Sequence, residues 1–468
     1  MNYRSIKYKL PFVLAGSLSV ILWYFLRNYF EELQLLLLVT GLLILFFSFL
    51  NTDIALFIII FTLFIPLSLG TFLGIPYFLI FEIFTPIFAF YVIINKLLTK
   101  KEFYFTNRNY SPFFYWVFFY FIWIFFEFTR YSIGSGIRTL FTYFLCFLLT
   151  FTFAELINKE NKKRILLFIF YTVLSVVVIG LGVIFIPGIK NSIMGLQEMG
   201  LLAYTNTVLV SSWKVGNIVI MFGGLRVGLL QSTAPIGLLF LLSGLFKIPK
   251  GIRITGIGLF FLALVLSGGR SFFAGTLIAI VFFIYLKKGW KSIPVILIIT
   301  LVIYLLVFIS YEALPGPLRR VFFWKAELKY LDPGRFALFN LLLKGIKSHP
   351  IIGKGFGSYK LIDYHNDLYN FLIMQLSYGG HGTFISLLYI TGIVGLLAFV
   401  VMYAKSIVLS YKLYRTTGEK PEFLLLLLYF IYAFFPLAFG GKGSDGAFFL
   451  FIGLLFGMCK VAKIEANK

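Results

Sequence analysis

Apolar runs long enough to cross a bilayer recur from one end of this chain to the other, and no other feature limits its folding as much. A run of about eighteen or more residues with few charges can span the hydrocarbon as a helix. Backbone in lipid must satisfy its own hydrogen bonds, which leaves helices or a closed barrel. A barrel needs apolar and polar residues to alternate, and runs such as "QLLLLVTGLLILFFSFL" do not alternate. The expected fold class is therefore all-α, a polytopic transmembrane helical bundle. Composition agrees: 60% of residues are hydrophobic and 13% charged, where a soluble domain has about a quarter charged.

About fourteen spans are expected, within a range of twelve to fourteen, at roughly 10–26, 33–50, 54–70, 76–95, 112–129, 139–157, 165–186, 230–246, 254–269, 271–286, 293–310, 383–403, 422–439 and 445–459. The N-terminus "MNYRSIKYKLPFVLAG" is basic and then apolar, like a signal peptide. Its apolar stretch continues to Leu26 without a small-residue cleavage site and reads as the first span. Cys146 and Cys459 both fall in expected spans and support no disulfide framework.

The net charge of +23 is in large part topological rather than the footprint of a nucleic acid, because cytoplasmic loops collect Lys and Arg. With the N-terminus in the cytoplasm, the connections on that side read "INKLLTKKEFYFTNRNYS", "INKENKKR", "KIPKGIR", "KKGWK" and "KLYRTTGEKPE", with "KVAKIEANK" as the tail. Every connection on that side except the tiny turn at Asn51 is basic, and the register holds across every span. Two long segments then lie outside, near 187–229 and 311–382. Long segments without spans of their own are often functional. In the second, "FFWKAELKYL" and "RFALFNLLLKGIKS" carry helical apolar spacing broken by Pro and Gly. The expected organisation is eleven helices over 1–310, a helical extracytoplasmic lid over 311–382, and three helices with a cytoplasmic tail over 383–468.

Candidate chemistry gathers on the outer side. The lid carries Arg319, Arg320, Lys325, Lys329, Arg335, Lys344, Lys347, Lys354 and Lys360, against Glu312, Glu327, Asp332, Asp363 and Asp367. Arg226 and Arg270 sit at outer ends of spans. A single arginine there can simply snorkel to the headgroups. Together with the lid they suggest an anion site, because guanidinium stays charged and binds phosphate oxygens in pairs. His381 opens the twelfth span, where an imidazole can take a proton from a hydroxyl. Glu82 and Glu127 fall in the outer halves of their spans, and intramembrane acids usually mark a polar cavity. There is no P-loop and no paired Asp-x-Asp. "DYHND" could hold a cation through Asp363, His365 and Asp367, but polar loops make such clusters by accident. The glycines of "SHPIIGKGFGSY" read as a tight turn in the lid.

Four strings, in order, resemble the O-antigen ligase and O-antigen polymerase superfamily of bacterial envelope enzymes. "GLRVGLLQSTAPIG" looks like its Arg-bearing outer segment, and "LSGGRSFFAGTL" its Ser-Arg-Ser/Thr element. "RFALFNLLLKGIKSHPIIGKGFGSY" is similar to its lid, and "HGTFISLLYITGIVGLL" to its His element. Gly382 follows the histidine where the family often has Asn. His365, which does precede Asn366, lacks the glycine spacing behind it, so His381 is the preferred functional histidine and His349 reads as structural.

The resemblance implies a GT-C-like, metal-independent glycosyltransferase with no cofactor, in the bacterial cytoplasmic membrane. Its donor would be an undecaprenyl-diphosphate-linked oligosaccharide. Arg335 and Arg270, with Arg226 and the lid's Arg319 and Arg320, would hold the diphosphate, and His381 would orient or deprotonate the acceptor. Membrane lipids, a chain-length regulator and a flippase are the implied partners. Polymerase and ligase share the donor half; the reading leans to polymerase, with ligase as the alternative. A flippase for lipid-linked sugars is the alternative from another class, but transporters often show repeat symmetry and midplane sites, and neither is evident in this sequence.

Overall fold

The structure is a computed structural model. It describes residues 51–65, 80–103, 110–111, 113–118, 133–185, 211–215, 218–222, 227–267, 269–292, 294, 342–355, 383–439 and 445–466. The helices are α1 (Thr52–Phe64), α2 (Ile80–Leu98), α3 (Ile133–Leu156), α4 (Lys162–Phe185), α5 (Val227–Ser243), α6 (Lys250–Leu266), α7 (Arg270–Lys288), α8 (Thr383–Thr416), α9 (Pro421–Phe439) and α10 (Asp445–Ala466). Each expected span that these residues cover carries a helix. The expected spans 10–26 and 33–50 lie outside the described residues, as does nearly all of 293–310. Five of the described helices are long and apolar enough to cross a membrane, and the chain is a helical integral membrane protein. One small β-hairpin, β1 (Ser211–Val215) against β2 (Ile218–Phe222), pairs antiparallel within the segment near 187–229 and packs on α4.

Helices in lipid gain no hydrophobic drive toward each other, so close contact depends on small residues and polar bonds. α3 and α10 make the most extensive contact. A Cβ at Gly453 would come 2.9 Å from the Thr150 carbonyl oxygen, and one at Gly457 would come 3.0 Å from that of Phe153. Thr150 Oγ1 donates to the Phe449 carbonyl at 3.0 Å in the same seam. α7 meets α9 in a similar way. Pro436 has no N–H to offer the Tyr432 carbonyl one turn back, and Gly275 of α7 packs against that carbonyl, where a Cβ would lie at 2.4 Å. α9 in turn contacts α8 and α5.

One end of the bundle is tied by ions. Asp53 at the start of α1 meets Arg164 (3.0 Å) and Asn161 Nδ2 (3.0 Å) at the start of α4. Lys162 bridges Glu422 (3.5 Å) and Glu465 (3.4 Å), and Lys420 reaches Glu465 at 3.0 Å. Lys96 of α2 pairs with the buried carboxylate of Glu155, and Lys460 donates to the backbone carbonyls of Ala154 (3.1 Å) and Glu155 (2.7 Å). The starts of α1, α4 and α9 thus gather with the ends of α2, α3 and α10. Four of the basic strings expected on one side meet in this network.

Candidate functional site

The end opposite the ion network holds the starts of α5 and α7, and one contact locks them together. Gln231, in the first turns of α5, donates through Nε2 to the Ser267 carbonyl at 3.0 Å. Gly269 is the N-cap of α7 and presses on the same side chain; a Cβ there would lie 2.5 Å from Gln231 Cγ. Arg270 is the first residue of α7, and Val227, one residue after Arg226, is the first of α5. Val227 and Arg270 therefore open two helix starts that are held together. Beside them, Ser232, Tyr429, Tyr432, Pro436 and Phe448 line a cavity with about 10 Å³ for the centre of a water. That is room for one water rather than a sugar.

The helix expected at 383–403 is interrupted. Gly392 has φ 67° and ψ −168°, a conformation essentially restricted to glycine. It divides α8 into a half-helix, 383–391, and a long helix, 393–416. The half-helix folds back on the long one. The Phe384 ring lies 5.9 Å from that of Phe399 and 6.4 Å from that of Tyr403, whereas fifteen residues of straight helix would separate such positions by about 22 Å. Phe384 also meets Phe434 of α9 at 5.7 Å. Thr383, Leu387, Tyr389 and Ile390 are buried. The half-helix thus starts inside the bundle, beside Phe399 and Tyr403, and rises to Gly392. The 34 residues that are apolar enough for one crossing are a helical hairpin.

The turn at 349–355 closes that hairpin. The break frees carbonyls at the end of one arm and N–H groups at the start of the other. Lys354 N donates to the Tyr389 carbonyl (2.8 Å) and Gly355 N to that of Ile390 (2.9 Å). Ile393 N donates to the Pro350 carbonyl (2.9 Å) and Val394 N to that of Ile351 (3.4 Å). Gly353, at φ 71°, and Gly392 face each other so closely that a Cβ on either would lie within 2.6 Å of the other's backbone nitrogen. Gly345, in the helical stretch 342–348, leaves room for the Tyr389 ring. The glycines read from sequence as a tight turn do form one, and the turn docks on α8. His349 is exposed, with Nδ1 2.9 Å from Ser348 Oγ.

Arg226, Arg319, Arg320, Arg335, His365, His381, Asp363, Asp367 and Glu127 lie outside the described residues, and Arg270 and Glu82 are described only in their backbone. Among the described residues no group of three His, Cys, Asp or Glu side chains could hold a metal ion.

The fold and these elements define a polytopic helical membrane protein with a helical hairpin closed by the 349–355 turn. Residues 255–400 match the O-antigen ligase family. That stretch is similar to a family whose members are glycosyltransferase-like enzymes of polysaccharide biosynthesis, which supports the O-antigen polymerase and ligase superfamily. The matched stretch takes in α7, the 349–355 turn, the half-helix and Gly392. No curated protein matches the chain. A chain from a solved structure described as "Structural coordination of polymerization and crosslinking by a peptidoglycan synthase complex" is similar at 13% identity and a TM-score of 0.39, over 75% of this chain and 97% of that one. A likeness of that degree carries no argument.

Proposed function

We propose that the protein polymerises a bacterial surface polysaccharide at the outer face of the cytoplasmic membrane. It would move glycan from an undecaprenyl-diphosphate carrier to the hydroxyl of a second lipid-linked repeat unit. The observation that supports this reading is the lock between the starts of α5 and α7, where Gln231 of α5 holds Ser267 and Gly269, the residue before Arg270.

The chemistry follows from the donor. The bond between the sugar's anomeric carbon and the diphosphate oxygen breaks. The acceptor oxygen bonds to that carbon, and its proton passes to His381. The departing diphosphate gains charge, which Arg270, Arg226 and Arg335, with Arg319 and Arg320 from the lid, stabilise where it develops. Fixed guanidinium groups supply the positive charge, and the donor brings its own leaving group, so the reaction uses no nucleotide and no metal. Transfer of finished polymer to another acceptor is the second reading, favoured by the family's own description as ligase.

Purified protein in detergent, given a lipid-linked oligosaccharide, tests the class: a new glycosidic bond without a sealed membrane marks an enzyme, and its absence would favour a flippase. The glycans of a deletion strain then divide the two enzyme readings. Single lipid-linked repeats accumulate if a polymerase is lost, and long lipid-linked polymer if a ligase is lost.

A further inference from the structure

The 349–355 turn and Gly392 do more than close a loop, because of where they sit. The side chains of Ile351 and Ile352 on the turn are exposed (63% and 45%), and so are those of Ile393 and Val394 at the start of the long helix (41% each). This outward apolar surface continues down the long helix through Leu397 and Val401. The turn's four hydrogen bonds to α8 satisfy the backbone groups that the break at Gly392 frees. Parting the two segments would leave these groups without their partners. Both glycines are obligatory: each has positive φ, and each would drive a Cβ into the other's backbone.

We propose that the turn 349–355 and Gly392 form a fixed joint that stays closed through the catalytic cycle and sets the height of the half-helix 383–391. Gly353 and Gly392 are then positioning residues. The proposal rests on the transferase reading for its kinetic arm, and its structural arm is independent of that reading.

The structural arm is hydrogen exchange on the full-length protein in detergent. The peptide amides of Lys354, Gly355, Ile393 and Val394 are expected to exchange as slowly as those of the core helices; fast exchange overturns the joint, whether or not transfer is detected. The kinetic arm uses a cross-link. The Val394 N to Ile351 O contact of 3.4 Å places these two Cα atoms within about 7 Å, near disulfide reach. With Ile351→Cys and Val394→Cys oxidised, transfer is expected to stay within about twofold of the reduced protein. Loss of transfer on oxidation, restored by reductant, would mean that the joint has to open, and would overturn the proposal. Gly353→Ala and Gly392→Ala are expected to lower kcat about 100-fold with little change in donor KM, as misplacement of a reacting group does. Gly418→Ala is the control: it has positive φ (73°) with nothing within 4 Å of its would-be Cβ, and it leaves kcat unchanged. Normal kcat in folded Gly392→Ala protein would also overturn the joint. If that variant does not fold, the cross-link and the exchange decide.

Discussion

An imidazole at position 381 that takes the acceptor's proton leaves a definite kinetic mark when it is removed. His381→Ala should slow transfer by ~10²–10⁴-fold while the donor still binds, because a positioned base contributes that much to the rate. Single-turnover assays with purified protein check it, and full activity would end the base role. Lys96 offers a stability test of a single residue. Its partner Glu155 has a side chain with no exposed surface, and losing one member of a buried pair costs about 3–5 kcal/mol. The Lys460 ammonium, bonded to the Glu155 carbonyl, still stands close by. Lys96→Met should therefore fall at the low end of that range in a thermal unfolding series, and Lys96→Met with Glu155→Leu should recover most of the loss. The sequence offers its candidate site residues by type. The arginines and His381 stand out because charges are rare in so apolar a chain. What "SHPIIGKGFGSY" does was only half legible: glycine spacing announces a turn, but not the helix break that the turn caps.

Among the elements, α7 carries Arg270 at its first residue, and its closest backbone approach to α9 is at Gly275. Gly275 lies against the Tyr432 carbonyl, which Pro436 leaves without its helical donor. Gly275→Leu should part α7 from α9 at a cost of about 1–3 kcal/mol, as overpacking does, and weaken donor binding by shifting Arg270. Both effects can be read on one preparation, by thermal unfolding and by donor KM; a stable variant with native KM would show that this seam does not position Arg270. Helices of this kind are plain in the sequence because lipid demands long unbroken apolar runs. The hairpin in α8 was not. Its apolar run continues through Gly392, and the partners that make the break tolerable sit near residue 350, distant in sequence. The Gly453–Gly457 spacing in "GLLFGM" was a signal on the page: two glycines four apart on an apolar helix mark a close helix contact, and α3 lies there.

At the scale of the whole molecule, the ion network and the hairpin mark opposite ends, and two measurements follow. The first is acid sensitivity. The Lys420 hydrogen bond holds the Glu465 carboxyl below its ordinary range. A depressed carboxyl adds stability above its unfolded pKa of about 4.3 and loses it as pH falls through the folded value. Because the pair is partly exposed, the contribution is under about 1 kcal/mol. Glu465→Gln should flatten the decline of the unfolding temperature below about pH 5 and leave neutral behaviour little changed. The second measurement is orientation. Lys and Arg concentrate at the ion-network end, and positively charged loops stay in the cytoplasm; a diphosphate carrier on the outer leaflet requires the hairpin end to face out. Cys146 and Cys459 are both buried, so introduced cysteines report with little background. Ile352→Cys on the capping turn should react with a membrane-impermeant maleimide on intact cells, and Lys412→Cys near the other end of α8 should react only after permeabilisation. The reverse pattern would put the arginines on the cytoplasmic face, where the same chemistry would have to act on a lipid-linked sugar before it crosses the membrane, and polymerisation at the outer leaflet would be ruled out.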